Sequence, residues 1–107
     1  NSELLMIIYN ITVSVDRSIL NEWLQWMQTQ HIPNVMKTNI FSSAQLKRII
    51  SRVDDGVSYA IAYECASLKD LQVYETKFSK VLQKEYTDKF GATAPAFRTV
   101  MTIENTF

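Results

Sequence analysis

At 107 residues with 47% hydrophobic content, the chain has the size and composition of one globular domain that can bury a core without help from metal or disulfides. Eleven basic residues balance eleven acidic ones, which argues against nucleic acid or an anionic membrane as a partner held through net charge. The single cysteine, Cys65, and the single histidine, His31, exclude an internal disulfide and a Cys/His zinc site.

Residues 1–5 precede a start signal at Met6 and are set apart as an appended or flexible extension, leaving 6–107 as a single domain. No apolar run reaches the roughly 18 residues of a membrane span. No basic, then apolar, leader is visible either, so the expectation is a cytoplasmic protein without metal or cofactor. From Ile7 to Val15 every odd position is apolar while Asn10, Thr12 and Ser14 alternate with them, the pattern of a strand with one face on a core. Asp16 and Ser18 are candidate N-caps for a helix carrying Leu20, Trp23, Leu24, Met27 and His31 as its apolar stripe. Pro33 should end or kink that helix near His31 and leave 33–37 as a short turn.

Phe41 to Val53 reads as a long strand with a bulge at Ile49 and Ile50, followed by the turn Asp54-Asp55-Gly56 and an antiparallel strand from Val57 to Cys65. Ser67 with Asp70 resembles a capping box opening a second helix through Leu68, Leu71, Tyr74, Phe78 and Leu82, stopped by Gly91. Phe97, Thr99, Met101 and Ile103 alternate in a last strand, Ala96 to Glu104.

The order β-α-β-β-α-β is the ferredoxin-like arrangement, an α+β sandwich with four antiparallel strands and both helices on one face. Odd-numbered residues of the first, third and last strands are expected to face the helices. Ile8, Asn10, Thr12, Ala60, Ala62, Arg98 and Val100 are expected on the open face. Because that face mixes apolar and neutral polar groups, coverage by a second copy in a homodimer is expected, with a cleft between the two sheets.

The segments MIIYNITVSVD, EWLQWMQTQHIPNV and AFRTV, in that order, resemble the uncharacterised bacterial domain-of-unknown-function family 4286 along nearly the whole chain from Met6. The resemblance implies a domain related to the dimeric α+β barrels, whose members include monooxygenases, heme-degrading enzymes, isomerases and ligand sensors. It implies no particular reaction. Trp23, Trp26 and His31 also resemble a pattern found in some enzymatic barrels.

Among individual residues, His31 is the natural candidate for catalytic proton transfer, since its ordinary pKa lies near neutrality; packing or capping at a helix end is the structural alternative. Arg98, in an otherwise neutral strand, needs an anion, an acid such as Glu64 or an aromatic ring beside it. Trp26 is placed at a pocket rim or dimer contact, and Asn10 and Thr12 either supply neutral hydrogen bonds in the cleft or bond across the strands. Trp23, Tyr59 and Tyr63 either surround a planar ligand or pack the core. Cys65 is read as packing, and the lysines 69, 77, 80, 84 and 89, interspersed with acids, as a solvated helix face.

Two functions therefore stand side by side. One is a non-catalytic dimeric module that binds a small apolar or aromatic ligand or serves assembly. The other is a cofactor-independent monooxygenase- or isomerase-like enzyme using His31. RNA binding through an RRM-like sheet is disfavoured, because Asp55 stands where a basic residue would precede Gly56 and Tyr59 is expected to face the helices.

Overall fold

Strand β1, Ile7–Val15, buries Ile7, Tyr9, Val13 and Val15 as its alternation requires, and it is the strand around which the computed structural model is built. The structure describes residues 6–51 and 56–107; the extension at 1–5, Val53 and the Asp54-Asp55 part of the turn lie outside them. After β1, Asp16 accepts hydrogen bonds from the Ser18 backbone N–H at 2.9 Å and the Ser18 hydroxyl at 2.8 Å, fixing the short turn Arg17–Ile19 that leads into α1, Leu20–Trp26.

The first helix does not stop at His31. It widens through Met27–His31, where the Ile32 N–H reaches back five residues to the Met27 carbonyl, and continues as α2, Ile32–Met36. Pro33 thus falls in the first turn of a new helical segment, where a missing N–H removes nothing. The Gln28 amide and Thr29 hydroxyl donate to the carbonyls of Leu24 and Gln25 at 3.2 and 2.7 Å, covering backbone acceptors alongside the widened turn.

Strand β2 is shorter than its apolar pattern suggests, Ser43–Ile49. Phe41 packs into the core before it, and in place of a bulge the strand ends at Ile49, leaving Ile50 88% exposed. Gly56, at φ 141°, starts β3, Val57–Cys65; an added Cβ there would be strained and would lie 3.1 Å from the Val15 carbonyl oxygen. Ser67 caps α3, Leu68–Lys77, by accepting from the Asp70 N–H at 3.1 Å.

One long helix was expected here, and the chain forms two. Phe78, at φ −126°, separates α3 from α4, Ser79–Phe90. The Thr76 and Ser79 hydroxyls donate to the Gln72 and Glu75 carbonyls, a local competition that bends helices. Gly91 caps α4 with right-handed helical angles, φ −53° and ψ −38°, rather than a left-handed turn, and a Cβ there would stand 2.7 Å from the Thr87 carbonyl oxygen. Among the described residues, no helix is long and apolar enough to cross a membrane.

Strand β4, Ala96–Thr102, completes an antiparallel sheet of order β2-β3-β1-β4, with both helical layers against one face. Its register corrects the expected orientation. Residues directly opposite one another share a sheet face, and Ile11 pairs with Arg98 while Thr12 pairs with Phe97. Ala96, Arg98 and Val100 therefore point to the helix side, whereas Phe97 and Met101 join Ile8, Asn10, Thr12, Ala60 and Ala62 on the open face. As an edge strand, β4 lies beyond full helical cover, so burial does not sort its two residue sets; Phe97 is 61% exposed and Met101 43%.

Candidate functional site

The β4 register brings two candidates together. Arg98 reaches from the edge strand across to β1, where its Nε donates to the Tyr9 hydroxyl at 2.9 Å. His31, at the end of the widened helical turn, enters the same space from the helix side. A cavity of about 30 Å³ lies between them, with Met27, Tyr74 and Tyr86 among its other walls. Such a volume holds a water or two; an enclosed apolar ring needs on the order of 150 Å³.

Trp26 braces His31 without lining the cavity. Its ring stacks on the imidazole at 5.1 Å and 23°, and meets Phe90 edge-on at 5.4 Å. On the other side Tyr86 lies 5.6 Å from the imidazole. Tyr86 is fully committed elsewhere: it accepts from Trp23 Nε1 at 3.0 Å and donates to the Ala94 carbonyl at 2.7 Å. It has no proton to offer the imidazole. His31 Nδ1 is consequently buried without a hydrogen-bond partner.

Burial, reinforced by the Arg98 charge, lowers the His31 pKa from 6.5 to about 4. Burial raises Tyr9 despite the opposing influence of Arg98, and raises Tyr74 and Tyr86 as well, so these phenols stay protonated around the imidazole. Arg98 itself has no carboxylate within ion-pair distance among the described residues. Glu64, the partner weighed for it, is on the open face, where it accepts from the Ser43 hydroxyl at 3.4 Å.

The sheet thus divides the sequence candidates. His31 and Arg98 share a cavity inside the domain, with Trp26 behind the imidazole. Asn10 and Thr12 occupy the opposite face, joined by a 3.2 Å hydrogen bond from the Asn10 amide to the Thr12 hydroxyl. Trp23, Tyr59 and Tyr63 are core residues, Trp23 packing 5.1 Å from Tyr59. The Cys65 thiol is buried, is raised by that burial and donates to the Ser67 carbonyl at 3.5 Å, a packing role. Sequence reasoning missed Tyr9, Tyr74 and Tyr86 as parts of the site. Their phenols at core positions were the available signal, since a buried tyrosine hydroxyl needs a partner.

The neutral imidazole has a consequence for stability. Between about pH 4 and 6.5 the unfolded chain binds a proton at His31 that the folded chain excludes, so stability rises with pH through this window. It is complete above the unfolded value and is lost as the pH falls toward 4. The loss is on the order of 3 kcal/mol at 1.36 kcal/mol per unit. His31→Gln cannot protonate, so urea unfolding at about pH 7 and about pH 4.5 should show the native sequence losing roughly 2 kcal/mol more than the variant. Parallel losses would mean that the imidazole is already charged in the fold.

Solved structures share this architecture. A Bacillus cereus protein assigned as an antibiotic biosynthesis monooxygenase matches with TM-score 0.68 at 13% identity, over 95% of this chain and 96% of that one. A dimeric ferredoxin-like protein from an uncultured marine organism matches with TM-score 0.60 at 9% identity, over 96% and 98%. The hydroxynitrile lyase of Passiflora edulis matches with TM-score 0.62 at 15% identity, over 94% and 96%. At these identities the likeness establishes the fold alone, a ferredoxin-like α+β domain. No curated protein sequence matches the chain. One family model, described as a domain of unknown function (DUF4286), matches residues 6–104.

Proposed function

We propose that this chain, which belongs to the DUF4286 family, is a small-molecule-binding subunit of a homodimer, its ligand head group held between sheet and helices by His31 and Arg98. One observation carries the reading: His31, whose Nδ1 is buried without a hydrogen-bond partner, lines the same small cavity as Arg98, which has no carboxylate within ion-pair distance among the described residues. Buried polar groups are normally satisfied, and leaving one unsatisfied costs about 1–3 kcal/mol. A ligand that supplies the missing hydrogen bond recovers that loss. The cavity is smaller than the chamber an aromatic ligand needs, so the ligand's buried part is a compact polar group and its body rests at the mouth.

Dimerisation rests on the other face. Ile8, Ala60, Ala62, Phe97 and Met101, interleaved with Asn10 and Thr12, form a surface of low charge that a twofold-related copy would cover. In this arrangement the ligand sits within each subunit, and the sheet contact serves assembly. Catalytic proton abstraction by His31 ranks below binding, because a base with a pKa of about 4 gives up driving force at neutral pH.

Thermal unfolding with a set of small carboxylates, amides and alcohols tests the reading. A ligand at ten times its Kd stabilises the native state by about 1.4 kcal/mol, a rise of roughly 5 °C in Tm. Arg98→Gln should abolish the rise for whichever probe produces it. An equal rise in the variant would place binding elsewhere.

A further inference from the structure

The two groups differ in what they need, His31 Nδ1 a hydrogen-bond partner and Arg98 a counter-charge, and this narrows the ligand. Resting on the binding function proposed above, we infer that the pocket takes a small carboxylic acid, its carboxylate on the Arg98 guanidinium and its proton on His31 Nδ1. Arg98 is suited to the anion. Tyr9 occupies only Nε, which leaves the terminal nitrogens of a planar fork that matches a carboxylate's two oxygens. Arg98 is exposed and lies at the edge of the sheet, so the acid enters past it with its tail toward solvent.

His31 is suited to the proton. The groups facing the cavity are Tyr9 from β1, Tyr63 from β3, Tyr74 from α3, Gln83 and Tyr86 from α4, and Arg98 from β4. Only Arg98 is charged at neutral pH. An empty pocket therefore carries one positive charge, which repels a second on the imidazole, and burial adds to that resistance. A carboxylate cancels the charge of Arg98. The imidazole can then bind a proton, and Nδ1–H gains the carboxylate oxygen as the acceptor it lacks. The step balances: R–COOH delivers H⁺ to His31 and leaves R–COO⁻ at Arg98, or R–COO⁻ arrives from solution while a buffer acid gives His31 one proton and departs as its conjugate base.

Because the chain has one histidine, the His31 Hε1 resonance is identified by inspection in a proton NMR spectrum. Its pH titration is followed without additive, with saturating acetate and with acetamide, a neutral molecule of the same shape. Acetate should raise the His31 pKa by at least about one unit, equivalent to tenfold tighter binding to the protonated form. Acetamide should not. In Arg98→Gln the increment caused by acetate should vanish, and in His31→Gln acetate binding should persist and keep only the pH dependence that comes from protonation of acetate itself. Acetate binding in the pocket with an unmoved His31 titration overturns the proton-coupled uptake and leaves the binding function standing. If neither probe disturbs any pocket resonance, both fall.

Discussion

Thr12→Arg is expected to separate the proposed homodimer into folded monomers. Thr12 lies on the open face of the central strand β1, opposite Ala60 on one side and Phe97 on the other, so a longer side chain there meets solvent in the monomer and leaves the helix-side core untouched. In the dimer the same guanidinium would be buried in the middle of the contact, against Ala60 and Phe97 rather than an acid, since Glu64, on the same face, pairs with Ile8 at the far end of β1. Burying an unpaired charge costs several kcal/mol. At about 1.4 kcal/mol per factor of ten, the dimer Kd should rise by roughly 100-fold or more. Sedimentation velocity over a dilution series reads the change directly. If native protein and variant sediment alike at every concentration, the open sheet is not the assembly surface.

Trp23→Ala should be the most destabilising single truncation in the core. The indole is 0% exposed, packs 5.1 Å from Tyr59 and donates to Tyr86 at 3.0 Å. Truncating a buried tryptophan costs roughly 3–5 kcal/mol through lost transfer energy and the cavity left behind. Domains of this size have only about 5–15 kcal/mol in total. The effect should reach the site too, because Tyr86 packs on His31 and would keep only its bond to Ala94. Trp23→Phe separates the two contributions by retaining most of the ring and removing the N–H, at about 1 kcal/mol. Urea unfolding measures both. A loss below about 1 kcal/mol for the alanine variant would contradict the packing described here.

The central strands were legible because burial there is one-sided. In β1 and β3 the odd positions meet the helices, and the alternation of Tyr9, Val13, Tyr59 and Ile61 with Asn10, Thr12, Ala60 and Ala62 records that. The N-cap at Ser67 was legible because its hydrogen bond joins residues only three apart. Strand β4 was misread for the converse reason: at an edge, Phe97 and Met101 can be large and apolar without facing the core. Its orientation depends on pairing with β1, which is a long-range fact.

That one inversion decides the site. With Arg98 on the open face, it would have shared a cleft with Asn10 and Thr12; with the observed register it meets Tyr9 and the His31 cavity. The continuation of the helix past His31 was hidden as well. A proline reads as a stop, yet the widened turn Met27–His31 lets Pro33 sit where its missing N–H does no harm, and it is this turn that carries the imidazole to the sheet. His31 and Arg98 could thus be singled out by residue type, but their meeting could not.

Backbone amide chemical-shift mapping with acetate locates the binding site most directly. The proposed binding function predicts that the shifted amides cluster around Tyr9, Met27, His31, Tyr86 and Arg98, with the signals of Asn10, Thr12, Ala60 and Ala62 unchanged. Shifts confined to the open-face residues, with those around His31 unmoved, would contradict it.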